Sequence, residues 1–360
     1  MYLSDCIGRR ENRIDQIRLG AAFAVLVGHS WHISQGPQAV VPLEHSMGVG
    51  FHELAVHVFF FLSGMLIVES ARRYQSRILQ FTWARMRRLM PALCVNAVVV
   101  PLVLVATGFW SPASPEALAE YAARLVTLMS IQFTDPHVFV GHPFEHAING
   151  SVWSLRHEVL LYGVIGLGGL LGMFKRPPGF WLVVMLLAGW SVAGHALADE
   201  AQGGWPFILV EGRYLAFSGL LGVLAHRYAG HVPVRLDVTV CLVIWTVVAK
   251  LMLPDSLYML ILIVTVCYAT LMLAFAGEGQ KAGLPHDISY GVYIYAWPVQ
   301  QMIVGLWLRE TGHAIDPWML VVLATPLVLA AGALSWFLVE RPAMRLTYPI
   351  KRASRPIAAE

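Results

Sequence analysis

The chain has 360 residues, of which 57% are hydrophobic and only 13% are charged, with a formal net charge of +3 at pH 7 and a mean hydropathy of +0.63. A soluble domain carries about 25% charged residues, so this chain has too few charges to cover a surface that faces water. The composition excludes an ordinary soluble domain and predicts an all-α, polytopic integral membrane protein.

Ten segments are long and apolar enough to cross a bilayer, which takes about 20 residues per helix. The predicted spans are 16–34, 52–71, 91–110, 151–173, 179–198, 208–228, 236–254, 257–276, 288–308 and 317–339. With the N-terminus in the cytoplasm, 20 of the 25 Lys and Arg residues fall on the cytoplasmic side. The positive-inside rule predicts that asymmetry, which favours both termini in the cytoplasm. Residues 1–342 then form one membrane domain, followed by a short basic tail over 343–360.

The first span carries Arg18 near its start and His29 eleven residues later. Eleven residues make almost three helical turns, so both side chains lie on one face, about 16 Å apart along the axis. Asp15 precedes Arg18 by one turn and is predicted to pair with it. A titratable group deep in a span usually lines a pathway or a site, and histidine near pH 7 both takes and returns a proton. His29 is therefore the predicted general base.

Six arginines crowd the segment 72–88 after the second span. Arg85 and Arg88 are three residues apart and face the same way on a helical turn, and guanidinium groups suit phosphate oxygens. The positive-inside rule alone explains the other four. Within the second span, His57 is predicted to be a satisfied histidine at a helix interface. Ser63 and Gly64 are predicted to allow close approach of another helix.

The segment 111–150 is the longest connection, and the stretch PEALAEYAARL from Pro115 predicts a short amphipathic helix there. In the fourth span, Glu158 is a second interior titratable group, with Tyr162 one turn later on the same face. Two hypotheses remain open for Glu158. It pairs with Arg156, His157 or His29 and locks helix packing, or it acts in a site together with His29.

Several classes of site are not predicted. The four cysteines are scattered without a CxxC pair, which argues against a disulfide framework and a zinc site. The 14 histidines include no HExxH motif, so no metal is predicted. The basic residues follow the membrane edge and form no groove-binding motif, so nucleic acid is not a predicted partner.

Six motifs, in order from about residue 13 to 342, resemble those of the acyltransferase-3 family of integral membrane acyltransferases. They are Arg18 followed by ten residues and His29, VFFFLSGMLI from Val58, Arg85-x-x-Arg88 within WARMRRLMPAL, SVWSLRHEVLLY from Ser151, SYGVYIYAWPV from Ser289, and Glu340-Arg341-Pro342. Each motif is weak by itself, whereas six in order on a ten-span layout are specific.

The family is understood to move an acyl group, usually acetyl from cytoplasmic acetyl-coenzyme A, onto a hydroxyl of a cell-surface glycan. The resemblance therefore implies an acyltransferase of the inner (plasma) membrane, with Arg18, Arg85 and Arg88 holding the donor. The implied acceptor is a glycan or glycolipid such as exopolysaccharide or lipopolysaccharide. His29 would either deprotonate the acceptor directly or briefly carry the acyl group, and Glu158 would orient His29 or bind an acceptor hydroxyl.

The aromatic residues Trp153, Tyr162 and Tyr293 of two of these motifs are the implied substrate-binding residues. Two positions depart from the family pattern. Many members have a histidine before the Trp-Pro pair where this chain has Ala296, and Arg156 and His157 replace small or apolar residues. The histidine of those members therefore cannot carry chemistry at Ala296 in this chain.

Two other functional classes compete with the enzyme. A transporter or flippase of a glycan or an acyl-carrying lipid would share the many spans and buried charges, although no inverted repeat of broken helices is visible. A scaffold or sensor would gain nothing from charged groups in lipid. The sequence gives no prediction of the oligomeric state.

Overall fold

The computed structural model describes residues 1–7, 12–74, 77–128, 134–173, 177–198, 204–276, 284 and 286–346. These residues contain no β-strand, only isolated bridges between pairs of residues, so the all-α prediction is confirmed. The α-helices in this part of the chain are α1 (Ile14–Gln35), α2 (Glu44–Met47), α3 (Phe51–Tyr74), α4 (Ile78–Ala106), α5 (Pro115–Thr127), α6 (Leu155–Leu170), α7 (Pro177–Ala196), α8 (Gly204–Arg227), α9 (Leu236–Met252), α10 (Asp255–Phe275), α11 (Ser289–Thr311), α12 (Pro317–Ser335) and α13 (Arg341–Met344).

Within the described residues, six helical segments are long and apolar enough to cross a membrane. They are Phe51–Tyr74, Ile78–Ala106, Pro177–Ala196, Ile208–Arg227, Asp255–Phe275 and Pro317–Met344. Large apolar side chains such as Leu251, Met252 and Leu338 are more than two-thirds exposed on the outside of the bundle, as in a surface that faces lipid. α6 and α9, with 16 and 17 residues, are shorter than any of these six segments. The number of ten spans and the cytoplasmic termini therefore remain predictions.

One helix begins earlier than the sequence pattern predicts, and a second lies where the pattern predicts it. α4 starts at Ile78, well before the predicted span at 91, so Arg85 and Arg88 lie on a helix rather than in a connecting loop. α5 runs from Pro115 to Thr127 with Glu116 in its first turn, and it buries Tyr121 and Leu125. The prediction of an amphipathic helix in the longest connection is therefore confirmed.

α3 and α8 pack against each other through glycines. A Cβ atom at Gly64 would lie 2.3 Å from the carbonyl oxygen of Gly219, and one at Gly222 would lie 2.2 Å from that of Phe61. Small residues allow this approach of two backbones, which gives van der Waals contact in a membrane where the hydrophobic effect does not drive helix association. His57 lies at the same interface, 2.9 Å from the Ser218 hydroxyl. Both predictions for the second span are confirmed.

A proline in α11 leaves a backbone carbonyl free to accept a hydrogen bond from the segment before α6. Pro298 has no N–H group, so the carbonyl of Ile294, four residues earlier, loses its helical hydrogen bond. Two buried side chains replace it: Asn149 Nδ2 donates to this carbonyl at 2.9 Å and Asn96 Nδ2 at 3.2 Å. These bonds hold the 3-10 turn Gly150–Ser154 against the middle of α11, where it helps to line the cavities described below.

This arrangement predicts that the effects of Asn149→Ala and Pro298→Ala on stability are not additive. We expect Asn149→Ala to lower stability by about 1 kcal/mol, because Asn96 still donates to the Ile294 carbonyl. Pro298→Ala restores the backbone N–H, so the same Asn149→Ala change should cost less in that background. Thermal unfolding of the four purified proteins in one detergent measures this cycle. Equal costs in both backgrounds would show that the proline does not create the need for Asn149.

Candidate active site

Three cavities follow one another along α1, from the level of Arg18 to the level of His29. The arginine cavity, about 400 Å³, is lined by Arg18, Arg73, Arg85, Arg87 and Arg88 together with Glu158 and Tyr162. The neck, about 40 Å³, shares Arg18, Arg88, Glu158 and Tyr162 with the arginine cavity. The histidine cavity, about 360 Å³, contains His29, His32 and His52 and shares Val56 and Tyr293 with the neck. The neck has room for only a few water molecules.

Asp287 organises the charged side of the arginine cavity. Its carboxylate lies 3.2 Å from Arg18 Nη1 and also accepts a hydrogen bond from Arg88. Burial by itself would raise the pKa of Asp287, but the guanidinium groups of Arg18 and Arg88 outweigh it and hold that pKa below its usual range. The prediction that Asp15 is the ion-pair partner of Arg18 is wrong, because the ion pair at Arg18 is formed with Asp287 from the segment before α11.

Arg85 differs from the other guanidinium groups of this cavity. Arg73 lies 3.7 Å from Glu69, and Arg87 donates to the carbonyl of Leu346. Arg85 has no hydrogen-bond or ion-pair partner among the described residues, and its Nε is buried. A buried donor without a partner costs free energy, so Arg85 is the cation of this cavity that a phosphate group would satisfy.

Glu158 lies between the arginine cavity and the neck. It accepts hydrogen bonds from the Tyr162 hydroxyl and, at 3.3 Å, from the Ser63 hydroxyl. The pairings with Arg156, His157 or His29 are therefore wrong. Arg156 pairs instead with Glu211 at 3.0 Å, and the His157 Nε2 lies 3.2 Å from the Ile208 carbonyl.

His29 also lies apart from Glu158, since His29 lines the histidine cavity and Glu158 does not. The structure therefore separates the two residues that the sequence analysis placed in one site. Tyr162 stays with Glu158, while Tyr293 lines both the neck and the histidine cavity and shares a 2.8 Å hydrogen bond with Ser154. Trp153 lines the histidine cavity.

His29 is held by contacts from α11. The indole ring of Trp297 meets the imidazole edge to face, with ring centroids 4.9 Å apart, and the indole N–H donates to the Ala147 carbonyl. One turn away, Gln300 Nε2 donates to the Leu26 carbonyl and to the Ser30 hydroxyl of α1. His29 is 8% exposed and its Nδ1 has no partner among the described residues. Its ring is therefore fixed in place on the wall of the histidine cavity.

Sequence reasoning missed Asp287 and His52. Asp287 carried one signal, because two arginines at the same level of the membrane need a buried counter-ion. His52 carried none, since it lies at the start of a span where a solvated histidine is ordinary. Among the described residues no group of three or more His, Cys, Asp or Glu side chains is arranged to hold a metal ion.

Comparison with known proteins gives a matching family profile and two similar proteins. The sequence profile described as "Acyltransferase domain" matches residues 11–337. The chain is 29% identical to an O-acetyl transferase of Shigella phage Sf6, over 92% of this chain and 96% of that protein. It is 27% identical to Nodulation protein 10 of Rhizobium leguminosarum bv. viciae, over 93% and 94% of the two chains. No solved structure matches the chain significantly.

The ion-pair geometry predicts a large effect of one carboxylate. We expect Asp287→Asn to lower stability at neutral pH by about 2–3 kcal/mol, because two guanidinium groups lose their shared counter-ion. Since the folded-state pKa of Asp287 is depressed, its contribution is complete above the unfolded pKa near 4 and is lost as the pH falls through the folded value.

Thermal unfolding at several pH values measures this effect, and the deficit of the variant should shrink on acidification. Asp255→Asn is the control, because Asp255 is exposed and lies 3.5 Å from Lys250 in a surface pair that contributes little. Equal melting temperatures for wild type and Asp287→Asn at neutral pH would contradict the role assigned to Asp287.

Proposed function

Since the chain belongs to the acyltransferase-3 family and is an acyltransferase of the membrane-embedded type, we propose that it transfers acetyl from acetyl-coenzyme A to a hydroxyl of an extracytoplasmic glycan. The arginine cavity then faces the cytoplasm and the histidine cavity faces the outside of the inner membrane. Exopolysaccharide and lipopolysaccharide are the proposed types of acceptor. The name of the phage relative supports acetyl as the group transferred.

The observation that carries the proposal is the alignment of the three cavities. The arginine cavity is cationic and suits the phosphate groups of coenzyme A. The histidine cavity at the other end is lined by imidazole and aromatic groups, and the neck connects the two through shared residues. A donor and an acceptor that approach from opposite sides of a membrane need such a path.

The donor is proposed to bind at Arg85, the guanidinium group without a partner. Arg18 and Arg88 contribute a smaller net charge, because the carboxylate of Asp287 already neutralises part of theirs. Their function in this scheme is to set the positive edge of the cavity where the pantetheine arm enters the neck.

Passage of the pantetheine arm requires the neck to widen. Phe59 and Tyr293 line the neck and contact each other edge to face, with ring centroids 5.7 Å apart. We propose that these two rings swing aside to admit the arm. At rest they close the path, which keeps the two aqueous compartments separate.

The chemistry is proposed to occur where the neck opens at His29. In the direct mechanism, the acceptor O–H proton moves to His29 as the new C–O bond forms and the thioester C–S bond breaks. The departing thiolate then takes that proton, so atoms and charges balance. The Tyr293 hydroxyl supplies a hydrogen-bond donor for the developing oxyanion, and Trp153 provides an apolar wall for the acceptor ring.

Replacing His29 tests the proposed base. We expect His29→Ala to lower acetyl transfer at least about 100-fold, since general-base catalysis contributes on that scale. Coenzyme A binding should be unchanged, because His29 does not line the arginine cavity. The measurement is transfer of radiolabelled acetyl to surface glycan in membranes of cells that express each variant. Near-normal transfer would remove His29 from the mechanism.

Replacing Arg85 tests the donor site. We expect Arg85→Gln to weaken coenzyme A binding about tenfold or more, because a charge-assisted hydrogen bond to phosphate is lost. Calorimetric titration of the purified protein with coenzyme A measures this, and the exposed Arg341→Gln at the same end of the bundle is the control. A transporter would not need to bind coenzyme A, so absence of binding by the wild type would argue against this donor.

A further inference from the structure

The histidine cavity contains a second buried imidazole that the proposed chemistry does not use. His52, in the first turn of α3, is 8% exposed. Its ring centroid lies 5.8 Å from that of His29 and 5.2 Å from that of His32. The Nδ1 of His52 is buried and has no hydrogen-bond partner among the described residues. This nitrogen faces Gly28 and Gly50. Because the His52 side chain also lines the histidine cavity, Nε2 is the ring nitrogen available to a polar ligand there.

Two glycines make room for the His52 ring. A Cβ atom at Gly28 of α1 would lie 2.4 Å from the Cγ of His52, and one at Gly50 would lie 2.3 Å from its Cε1. Neither distance is tolerated by real side chains, so any other residue at these positions would displace the imidazole. The ring is therefore held on the same wall of the cavity as His29, which follows Gly28 directly in α1.

The chemistry of the cavity indicates which ligand would satisfy His52. Its described lining contains the carboxylate of Glu53 and neither Lys nor Arg, so an anionic group would find no positive partner there. The aromatic rings of Phe144, Trp153 and Trp297 supply flat apolar walls. This combination suits a neutral ring with several hydroxyl groups.

Other titratable groups surround His52. They are His29 and His32 on α1, Glu44 on α2, and Glu53 beside it on α3. Glu44 lies near His32, which is partly exposed, whereas His29 and His52 are the two buried imidazoles of the cavity.

We propose that His52 determines acceptor specificity by binding a second hydroxyl group, adjacent to the hydroxyl that is acetylated. The acceptor is then a neutral sugar with a free vicinal diol. A hydroxyl both donates and accepts, so it matches a neutral imidazole in either tautomer. Each of the two neighbouring hydroxyl groups then forms a hydrogen bond of about 2.8 Å with one imidazole. The ring centroids of His29 and His52, 5.8 Å apart, are close enough for both bonds.

This inference rests on the proposed function and adds a specificity element to it. His52 forms and breaks no covalent bond, and the proton of the attacked hydroxyl still moves to His29. Because the contact exists before and during transfer, its loss should raise the KM for the acceptor and leave kcat nearly unchanged.

The first test locates the product ester. Surface glycan from host cells that lack the protein is incubated with acetyl-coenzyme A and the wild-type protein in lipid nanodiscs. Nuclear magnetic resonance of the product should place the acetyl group on a ring hydroxyl whose neighbour is free. An acetyl group on a hydroxyl without a free neighbour, or on a charged sugar, would overturn the proposal. No release of coenzyme A thiol by the wild type would instead reject the proposed function itself.

The second test uses variants with the same glycan. We expect His52→Ala to raise the acceptor KM about threefold to tenfold, the value of one hydrogen bond, with the acetyl-coenzyme A KM unchanged. His52→Gln provides a side-chain amide that donates and accepts hydrogen bonds, so its acceptor KM should lie between those of wild type and His52→Ala. Gly28→Ala leaves the imidazole in the chain but displaces it, so it should behave like His52→Ala.

The control is His195→Ala, a histidine on α7 that contacts Tyr214 and does not line the cavity. An acceptor KM within twofold of wild type for His52→Ala would overturn the proposal. If His52→Ala does not give a monodisperse protein, Gly28→Ala decides, and an unchanged acceptor KM in that variant would overturn the proposal equally.

Discussion

The carboxylate of Asp287, held between the guanidinium groups of Arg18 and Arg88, is the interaction on which the cationic end of this protein depends. Three charges in one apolar bundle are tolerated only when opposite charges compensate each other. The contact joins α1, α4 and the segment before α11, which are far apart in the chain. It fixes the position of α4 relative to α1, and with it the place of Arg85 in the arginine cavity.

Some polar groups of the bundle are bound by neighbouring side chains, whereas three that line the cavities have buried nitrogen atoms without partners among the described residues. Glu158 is bound by Tyr162 and Ser63, and Arg156 by Glu211. These contacts hold helices together, because Glu158 and Ser63 join α6 to α3 and Arg156 and Glu211 join α6 to α8. Arg85, His29 and His52 retain buried nitrogen atoms without partners in the described part of the chain. The first lies in the arginine cavity and the other two in the histidine cavity, which is where a two-substrate transferase needs binding groups.

α11 sets the histidine end of the path through its backbone as well as its side chains. The missing N–H group of Pro298 leaves the Ile294 carbonyl to Asn149 and Asn96, and this brings the Gly150–Ser154 turn to the neck. Trp297, the residue before the proline, contacts His29 directly. Ala296, the residue before Trp297, is a fully buried methyl group and contributes no imidazole. The imidazoles of this site therefore come from α1 and α3.

The sequence by itself determined the helical class, the apolar segments and the residue types of the site, because hydropathy and helical period are local properties of the chain. It placed Arg18 and His29 on one face of one helix, since eleven residues make nearly three turns. It did not determine which charges pair. Asp15 lies one turn from Arg18, yet the counter-ion is Asp287, more than 260 residues away in the chain. Only the tertiary structure decided that Glu158 and His29 lie in different cavities, that Arg85 alone among the guanidinium groups lining the arginine cavity has no partner among the described residues, and that His52 stands beside His29. Each of these depends on contacts between helices, which no local pattern of residues encodes.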